Sequence, residues 1–271
     1  AGRIEAWVDY LKAFLLGVLQ GLTEFLPVSS SGHLIVLQKI LNVQGPVLFL
    51  DVMLHGGTLI AILAVFSRDI REVVISMFSR GGGDSPAAAR MGWLAVLAAL
   101  PVGVAGILLQ KWIEKLFHIL PLVGGMFLIT GVLLFAVKSR EGDRKEDALG
   151  VRDALWVGTY QAVALLPGIS RSGATIAGGL LRGIDRELAV RFSFLMAIPA
   201  ILGALILKLL DLPEQTGGIG FGPVLLGTVT AALSGYLALR WLIRLTLSGR
   251  LYYFSYYLWG LGLSVLPSGF F

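Results

Sequence analysis

The stretch QGLTEFLPVSSSGHLIV, residues 20–36, interrupts an apolar part of the sequence with a carboxylate, three consecutive serines, a proline and a histidine. The apolar region around it runs from residue 7 to residue 43, and the interruption is centred on Pro27 to Ser31. An ionisable side chain inside a membrane-embedded segment is costly and by default indicates function. The stretch therefore predicts a broken membrane helix that carries chemistry at its break.

The composition favours a membrane protein. Of the 271 residues, 56% are hydrophobic and 14% are charged, and the mean hydropathy is +0.82, whereas a soluble domain usually has about 25% charged residues. The chain has no cysteine, which excludes disulfides and thiolate metal sites. Its net charge of +5 is spread between apolar runs, so no nucleic-acid partner is expected. Residues 1–5 lack an initiator methionine and a signal-peptide pattern, which is expected of a processed or trimmed start.

Six apolar runs are long enough for membrane-spanning helices, which need about 20 residues. They are residues 47–66, 87–110, 117–137, 188–210, 221–243 and 251–270. Two further apolar regions, 7–43 and 151–183, are interrupted at Pro27 to Ser31 and at Pro167 to Gly173. Their halves are about 11 to 20 residues long, and the shorter ones cannot span. Irregular backbone at membrane depth is tolerated where it is buried in protein or lines a wet cavity. Both regions are therefore predicted to be re-entrant hairpins.

The two interrupted regions resemble each other when the numbering is shifted by 141 residues. The matched pairs are Gly17 with Gly158, Gln20 with Gln161, Ser29 with Ser170, Ser31 with Ser172, Gly32 with Gly173 and Ile35 with Ile176. A re-entrant hairpin does not change sides and three spans do, so the second copy is inverted. The sequence predicts an all-α integral membrane protein with six transmembrane helices plus two re-entrant helical hairpins in an inverted-topology repeat. The single membrane domain, 1–271, is divided into repeats 1–140 and 141–271, and such repeats place a site near the midplane.

The distribution of basic residues predicts the orientation. With the first hairpin opening outward, 15 of the 22 Arg and Lys residues lie in inside loops, six lie outside, and Arg171 lies at the second break. This bias follows the positive-inside rule. It predicts that both termini and the hairpin site lie on the outer side of the membrane.

The serines at both breaks predict an anion site. Serine caps the free N–H groups of a helix start, and a helix N-terminus attracts anions through those groups and its dipole. Two such starts meet at depth, and Arg171 adds a planar donor fork suited to phosphate. The predicted phosphate-binding residues are Ser29, Ser31, Ser170, Ser172, Gly173 and Thr175.

Glu24 would repel a phosphate unless a divalent cation lay between them. Magnesium takes one or two carboxylates together with substrate phosphate oxygens. Gln20 lies four residues earlier on the same helical face, so Glu24 and Gln20 are the predicted metal ligands. Ser30 and His33 are spaced i, i+3, and a hydroxyl beside an imidazole is a simple activated-nucleophile pair.

Structural interpretations stand beside these functional ones. Serines in membrane helices often bond to neighbouring helices or to their own backbone. His55, with Asp51 at i−4, is interpreted as a structural pair or as cavity lining. The residues alone leave two classes of function open, an anion transporter or channel and a membrane-embedded phosphohydrolase.

Two motifs, QGLTEFLPVSSSGH (20–33) and PGISRSGAT (167–175), closely resemble the signatures of the bacterial undecaprenyl-diphosphate phosphatase family of the bacitracin-resistance type. LDVMLHGGTLIAIL (50–63) is also similar to that family, and the resemblance covers nearly the whole chain. The resemblance implies removal of the terminal phosphate of undecaprenyl diphosphate at the outer side of the membrane, which recycles the lipid carrier for cell-wall synthesis and confers bacitracin resistance. The alternative is an anion or lipid transporter or flippase that uses the same half-helix site.

The resemblance also implies roles for particular residues. Glu24, Ser30, His33 and Arg171 match the family's essential positions, and the family depends on magnesium or calcium. The first signature allows Glu or Gln at its first position, and Gln20 stands here, so Glu24 must carry more of the metal site. Either His33 or Glu24 could take the proton of Ser30, and direct attack by metal-activated water stays open. The sequence leaves the oligomeric state open, a homodimer included.

A second class of phosphatase, the phosphatidic-acid type, is excluded by one position. SSGH (30–33) resembles that class's Pro-Ser-Gly-His motif, but the class also has a Ser-Arg pair followed by a histidine. Counted from Ser170 and Arg171, that histidine would stand where Ala177 is. A serine nucleophile is therefore favoured over a histidine nucleophile.

Overall fold

The computed structural model describes residues 2–40, 48–79, 85–210 and 220–269. The predicted apolar segments 7–43, 47–66 and 251–270 each extend past the described residues, because residues 41–43, 47 and 270 lie outside these ranges. The described chain is helical, as predicted. Its α-helices are α1 Gly2–Phe25, α2 Ser30–Ile40, α3 Leu48–Val65, α4 Ser67–Phe78, α5 Pro86–Leu116, α6 Leu120–Ala136, α7 Val151–Val163, α8 Arg171–Leu181, α9 Arg186–Leu210, α10 Phe221–Leu247 and α11 Tyr253–Val265.

Three of these helices, α5, α9 and α10, are long and apolar enough to cross a membrane, judged by length and composition alone. A fourth crossing is possible where α3 and α4 form a pair bent by 81°. The other two predicted spans contain shorter helices, α6 with 17 residues and α11 with 13. Several apolar helices in one chain fit a multi-pass membrane protein.

Helix α4 was not predicted from the sequence. The run 47–66 was expected to end in a loop, but the chain turns at Phe66 and continues as twelve further helical residues. One side of α4 contributes the buried Val73 and Ser76, while Ile75 and Phe78 are exposed. Its first turns, residues 67–72, are polar or charged except for one isoleucine. A search for apolar runs therefore passes over this helix.

Both predicted interruptions are present. The first lies between α1 and α2, and the second lies between α7 and α8. Three of the four flanking helices have 11 or 13 residues, as expected, but α1 has 24. At about 1.5 Å per residue α1 is long enough to cross a bilayer, and it is somewhat longer than the upper end of the predicted range of half lengths.

The interrupted regions are held by close helix contacts. Helix α1 packs along α10, and α7 packs along α5. A Cβ added at Gly17 would overlap backbone atoms of Gly227, and one added at Gly158 would overlap backbone atoms of Ala98. Small residues permit this close approach between membrane helices. The two matched glycines thus each permit a close contact between two helices.

Aromatic side chains pack against the end of α1, just before the first break. Phe194 of α9 contacts Phe25 edge-on at 5.7 Å between ring centroids and stacks on Phe66 at 5.6 Å. Phe25, at the end of α1, and Phe194 have no exposed surface. Because all three rings are locked in the core, the end of α1 has a fixed position.

Ion pairs join the loops at one end of the bundle. Asp153, in the first turn of α7, accepts from Arg144 at 2.7 Å and from Arg182 at 2.8 Å. Burial by itself would raise the pKa of Asp153, but the hydrogen bonds from the two arginines and from the Gly150 N–H lower the pKa to about 2. Arg191 pairs with Asp69 at 2.6 Å and also with Glu146.

Candidate functional site

The two breaks meet through three polar side chains. Ser30 Oγ donates to Glu24 Oε2 at 2.6 Å, and Arg171 Nη2 donates to Glu24 Oε1 at 2.9 Å. Gln20 Nε2 donates to Glu24 Oε2 at 3.3 Å. Glu24 therefore joins Ser30 of the first break to Arg171 of the second, which lies 147 positions after Glu24. An ion pair at this depth requires such additional hydrogen bonds to offset the desolvation of its charges.

The backbone of the first break has an unusual conformation at Ser29. Its φ of 69° makes it the one non-glycine residue with positive φ in the described chain. That region is sterically unfavourable for a residue with a Cβ and often marks functional sites. The turn at Ser29 ends the irregular segment, and α2 begins at Ser30, which lines the cavity described below.

The second break is anchored by hydrogen bonds to buried hydroxyls. Thr130 Oγ1 donates to Gly168 O at 3.1 Å and accepts from Ser170 N at 3.3 Å. Ser170 Oγ caps α8 by accepting from Gly173 N at 3.2 Å. Gly168 has φ 99°, a conformation that glycine adopts without steric cost. This break is thus fixed on α6 through Thr130, a residue that no sequence motif identified.

The breaks also touch each other directly. Ser172 Oγ donates to Leu26 O at 3.4 Å, and a Cβ added at Gly173 would lie 3.1 Å from Pro27 Cβ. The start of α8 therefore packs against the end of the first break. The sequence-based expectation that the two helix starts lie together agrees with this geometry.

Four predicted site residues are not among those that line the cavity at this site. The Gly173 N–H is taken by Ser170, and Thr175 Oγ1 donates to Arg171 O at 2.8 Å and bonds Ser193 Oγ at 2.5 Å. Gln20, Ser172 and Thr175 have no exposed surface. In this geometry Ser172, Gly173 and Thr175 support the site from behind, and their predicted phosphate contacts stay predictions.

His33 does not pair with Ser30. Its Nδ1 donates to Ser29 O at 2.8 Å, and its Nε2 bonds the hydroxyl of Tyr257 at 2.7 Å. The two rings stack with centroids 5.8 Å apart. The i, i+3 spacing predicted a Ser30–His33 pair, but the structure gives Ser30 a carboxylate partner because His33 is drawn to the turn before it. Sequence reasoning missed Tyr257, because it stands 224 residues away from His33 in the chain.

A cavity of about 560 Å³ opens at the meeting point of the breaks. Its polar wall consists of Thr23, Glu24, Ser29, Ser30, Ser31, His55, Gln161, Ser170 and Arg171. The rest is largely apolar and comes from α5 and α9, including Val102, Ile107, Ile201 and Leu207. A mostly apolar cleft with a few convergent polar groups is typical of a small-molecule site. Here it suits a ligand with an anionic head and a hydrocarbon tail.

His55 lines this cavity, in agreement with one of its two interpretations. Its Nδ1 donates to the backbone oxygen of Asp51 at 2.7 Å, so the pair does not involve the Asp51 carboxylate. That carboxylate instead accepts from Gln38 Nε2 at 3.0 Å.

The oxygen atoms around Glu24 can be compared with the ligands that a divalent cation needs. Among the described residues no group of three or more His, Asp or Glu side chains has the arrangement of a metal site. However, Gln20 Oε1 is buried without a hydrogen-bond partner in the described chain, and it lies beside the Glu24 carboxylate. One carboxylate and one amide oxygen suit magnesium, which takes its remaining ligands from water and substrate phosphate. Glu24 and Gln20 therefore fit the predicted metal.

A family model described as bacitracin resistance protein BacA matches residues 13–264, which include both breaks. The chain belongs to this family. Curated relatives named undecaprenyl-diphosphatase include a protein of Desulfosudis oleivorans that is 44% identical over 94% of this chain and 97% of its own length. Another, from Carboxydothermus hydrogenoformans, is 40% identical over 96% of this chain and 97% of its own length. A third, from Methanobrevibacter smithii, is 40% identical over 95% and 97%. The BacA-family match confirms the resemblance inferred from the two motifs.

Proposed function

We propose that this chain is an undecaprenyl-diphosphatase, an integral membrane hydrolase that converts undecaprenyl diphosphate to undecaprenyl phosphate and inorganic phosphate. The product is the lipid carrier for peptidoglycan and other cell-wall polymers, and its recycling confers bacitracin resistance. The observation that carries the proposal is the Ser30–Glu24–Arg171 constellation at the polar end of an otherwise apolar cavity. The names of the relatives support hydrolysis and give no support to the transporter alternative.

In the proposed reaction Ser30 is the nucleophile and Glu24 is the base. Ser30 Oγ attacks the terminal phosphorus and passes its proton to Glu24 Oε2, with which it already shares a 2.6 Å hydrogen bond. The phosphoanhydride bond breaks, and undecaprenyl phosphate leaves with the bonding electrons. Water then hydrolyses the phosphoserine, which releases inorganic phosphate and restores Ser30.

Arg171 has two parts in this reaction. Its guanidinium would bind the terminal phosphate through its second edge, because Nη1 has no hydrogen-bond partner in the described chain while Nη2 holds Glu24. A fixed donor fork of this kind neutralises the charge that develops on the phosphoryl oxygens. Ser29, Ser31 and Ser170 line the same polar wall and supply further donors.

His33 acts as a positioning residue in this scheme. Both of its ring nitrogens are engaged, by Ser29 O and by Tyr257. The bond to Ser29 O holds the positive-φ turn that precedes the nucleophile, so His33 favours the productive position of Ser30. Glu24 is therefore the preferred proton acceptor of the two that the sequence left open.

The proposed cofactor is magnesium or calcium held by Glu24 and Gln20. When bound there, it would supply positive charge that neutralises the phosphate oxygens. Gln20 keeps Glu24 oriented through its Nε2 and offers its unpartnered Oε1 to the cation.

The finer topology is part of the proposal. It consists of six transmembrane helices and two re-entrant hairpins in inverted repeats 1–140 and 141–271. In each repeat the first helix packs on a helix of the other repeat, since α1 packs on α10 and α7 packs on α5. The matched close contacts of Gly17 and Gly158 also support this topology. The protein then lies in the cytoplasmic membrane with its site facing the outer side, and a homodimer stays a prediction.

Cysteine labelling tests this orientation. The parent chain has no cysteine, so single cysteines give a clean signal. A cysteine replacing the exposed Glu141 should be shielded from an impermeant thiol reagent in intact cells, and one replacing the exposed His118 should react. The opposite pattern would reverse the proposed orientation.

The function itself is tested by phosphate release from farnesyl diphosphate with purified protein in detergent. We expect release that a chelator suppresses and that added magnesium or calcium restores. A transporter would release no phosphate under these conditions.

A further inference from the structure

Gln161 has an unusual environment for a buried amide. It lies on α7 and is 2% exposed, yet neither Nε2 nor Oε1 has a hydrogen-bond partner in the described chain. Buried polar groups nearly always have a partner, and each exception needs an explanation. Other buried polar side chains around the breaks, such as Thr130, Ser172 and Thr175, all have partners. An amide left in this state indicates a ligand that satisfies it.

The duplicated pattern explains why Gln161 lacks a partner. Its match in the first copy, Gln20, donates to Glu24 four residues later. Shifting Glu24 by the same 141 residues gives Leu165, which cannot accept a hydrogen bond. The second copy therefore has the amide without the carboxylate that would occupy it.

The position of Gln161 shows what it faces. It lines the cavity that contains Ser30 and Arg171, beside the apolar Ala164 and Leu165 at the end of α7. The cavity lining near Gln161 in sequence is thus apolar, whereas the lining from the two breaks is polar. Arg171 Nη1 is a second buried donor without a partner in the described chain. Two unused donors at one wall suit an anion with several oxygens.

The geometry points to an assignment that rests on the proposed function: we propose that Gln161 binds the lipid-attached phosphate of the substrate. The terminal phosphate must reach Ser30, and the hydrocarbon tail must follow the apolar walls of α5 and α9. The lipid-attached phosphate comes between these two parts of the substrate, and Gln161 lines the cavity that would hold it. As the phosphoanhydride bond breaks, negative charge accumulates on this leaving phosphate, and Nε2–H donates to one of its oxygens without giving up a proton.

A neutral donor has a specific advantage at this position. The product carries a phosphate that must leave the site, and a permanent charge would hold it more strongly than an amide does. An amide hydrogen bond that strengthens as charge develops on the leaving phosphate favours the transition state over the bound substrate. Gln161 therefore distinguishes a lipid diphosphate, which fills both phosphate positions, from an inorganic phosphate, which fills one.

The test uses full-length protein and the variants Gln161→Leu and Gln161→Met, with Gln110→Leu as the matched control. Gln110 is an exposed residue of α5 outside the cavity. Three quantities are measured: kcat/KM for farnesyl diphosphate, and the inhibition constants of farnesyl monophosphate and of inorganic phosphate. We expect both Gln161 variants to lose about tenfold in kcat/KM and to bind farnesyl monophosphate about tenfold more weakly, as expected for one hydrogen bond. Inhibition by inorganic phosphate should not change, and the control should behave like the wild type.

Thermal stability separates this role from a structural one. Because an apolar side chain removes an unsatisfied buried amide, Tm of the Gln161 variants should equal or exceed that of the wild type. A fall in Tm with unchanged inhibition constants would overturn the inference, and so would unchanged inhibition by farnesyl monophosphate in both variants. A wild type that releases no phosphate from farnesyl diphosphate would instead refute the proposed function, so the two failures are distinguishable.

Discussion

The two breaks have similar sequences and different structures. At the first, Ser29 has a φ of 69°, and the following Ser30 faces the cavity. At the second, the matched Ser170 has an ordinary extended conformation with φ −77°, and the positive φ falls on Gly168. The first break thus places an unfavourable backbone conformation beside the reactive hydroxyl. The second uses glycine and a capped helix start to obtain a relaxed turn.

Matched positions in the two copies hold different functional groups. Ser30 matches Arg171, so the proposed nucleophile in one copy corresponds to the proposed phosphate-binding cation in the other. Glu24 matches Leu165, and His33 matches Ala174. The second copy therefore has the helix start without the acid–base groups. One copy supplies the chemistry and the other holds the anion, and substitutions at matched positions test this division.

The largest effect is expected for Ser30→Ala. If Ser30 forms a phosphoserine, turnover should be abolished even with saturating substrate and metal, because the lost group acts in the transition state. Wild-type protein quenched in acid during turnover of terminally labelled substrate should carry label on the peptide that contains Ser30. The measurements are kcat from phosphate release and the mass of that peptide.

Ser31→Ala is the matched control for Ser30→Ala. Ser31 is also in the first turn of α2, and its Oγ lies 3.3 Å from Ser29 Oγ, so its loss should cost about 1 kcal/mol or less. A kcat of Ser30→Ala within a few-fold of the wild type would end the covalent mechanism and favour direct attack by water.

The next largest effect is expected for Arg171→Lys in the second break. The charge is kept, but one lysine ammonium cannot hold Glu24 and a phosphate through two fixed edges. Activity should fall at least about tenfold, which corresponds to about 1.4 kcal/mol. The measurement is kcat/KM in protein whose Tm is unchanged, and near wild-type activity would remove Arg171 from the site.

The sequence was informative where local pattern decides structure. The proline, glycine and serine clusters predicted both breaks, and polar residues at membrane depth predicted Glu24, Ser30 and Arg171. Sequence reasoning failed where a residue far away in the chain, or a backbone conformation, determines which groups meet. The Ser30–His33 pair followed from helical spacing, but His33 bonds Ser29 O and Tyr257, which is 224 residues away. Thr130, 40 residues before Ser170, has no neighbouring pattern that would identify it.

A smaller effect, on stability, should distinguish the two turns. Gly168→Ala places a Cβ 2.6 Å from the backbone oxygen of Val123 at a φ of 99°, so it should destabilise the protein by more than about 1 kcal/mol and lower Tm by several degrees. Ser29→Gly should leave Tm unchanged or raise it, because glycine adopts positive φ without steric cost. At the same time it should lower kcat, since the turn before Ser30 becomes less constrained. Equal Tm changes in the two variants would contradict the contrast between a relaxed and an unfavourable turn.

The smallest effect concerns the approach to the second break, where Asp153 holds the start of α7. Its matched residue in the first copy is Lys12, so this acidic anchor belongs to the second copy alone. The folded pKa of about 2 is below the ordinary value of 3.8. Its ion pairs therefore contribute stability that is complete above about pH 4 and is lost as the pH falls through about 2.

The variant Asp153→Asn should accordingly lower Tm at neutral pH, and its Tm should decline less steeply than that of the wild type between about pH 4 and pH 2. Asp147→Asn is the control, because Asp147 is an exposed carboxylate in the segment just before α7. Phosphate release at neutral pH should change little, since Asp153 fixes the far end of α7 and does not line the cavity. Parallel pH profiles of Tm for wild type and Asp153→Asn would show that the two arginines do not hold this carboxylate in the folded protein. A large loss of kcat would show that the position of α7, and with it the second break, depends on the anchor.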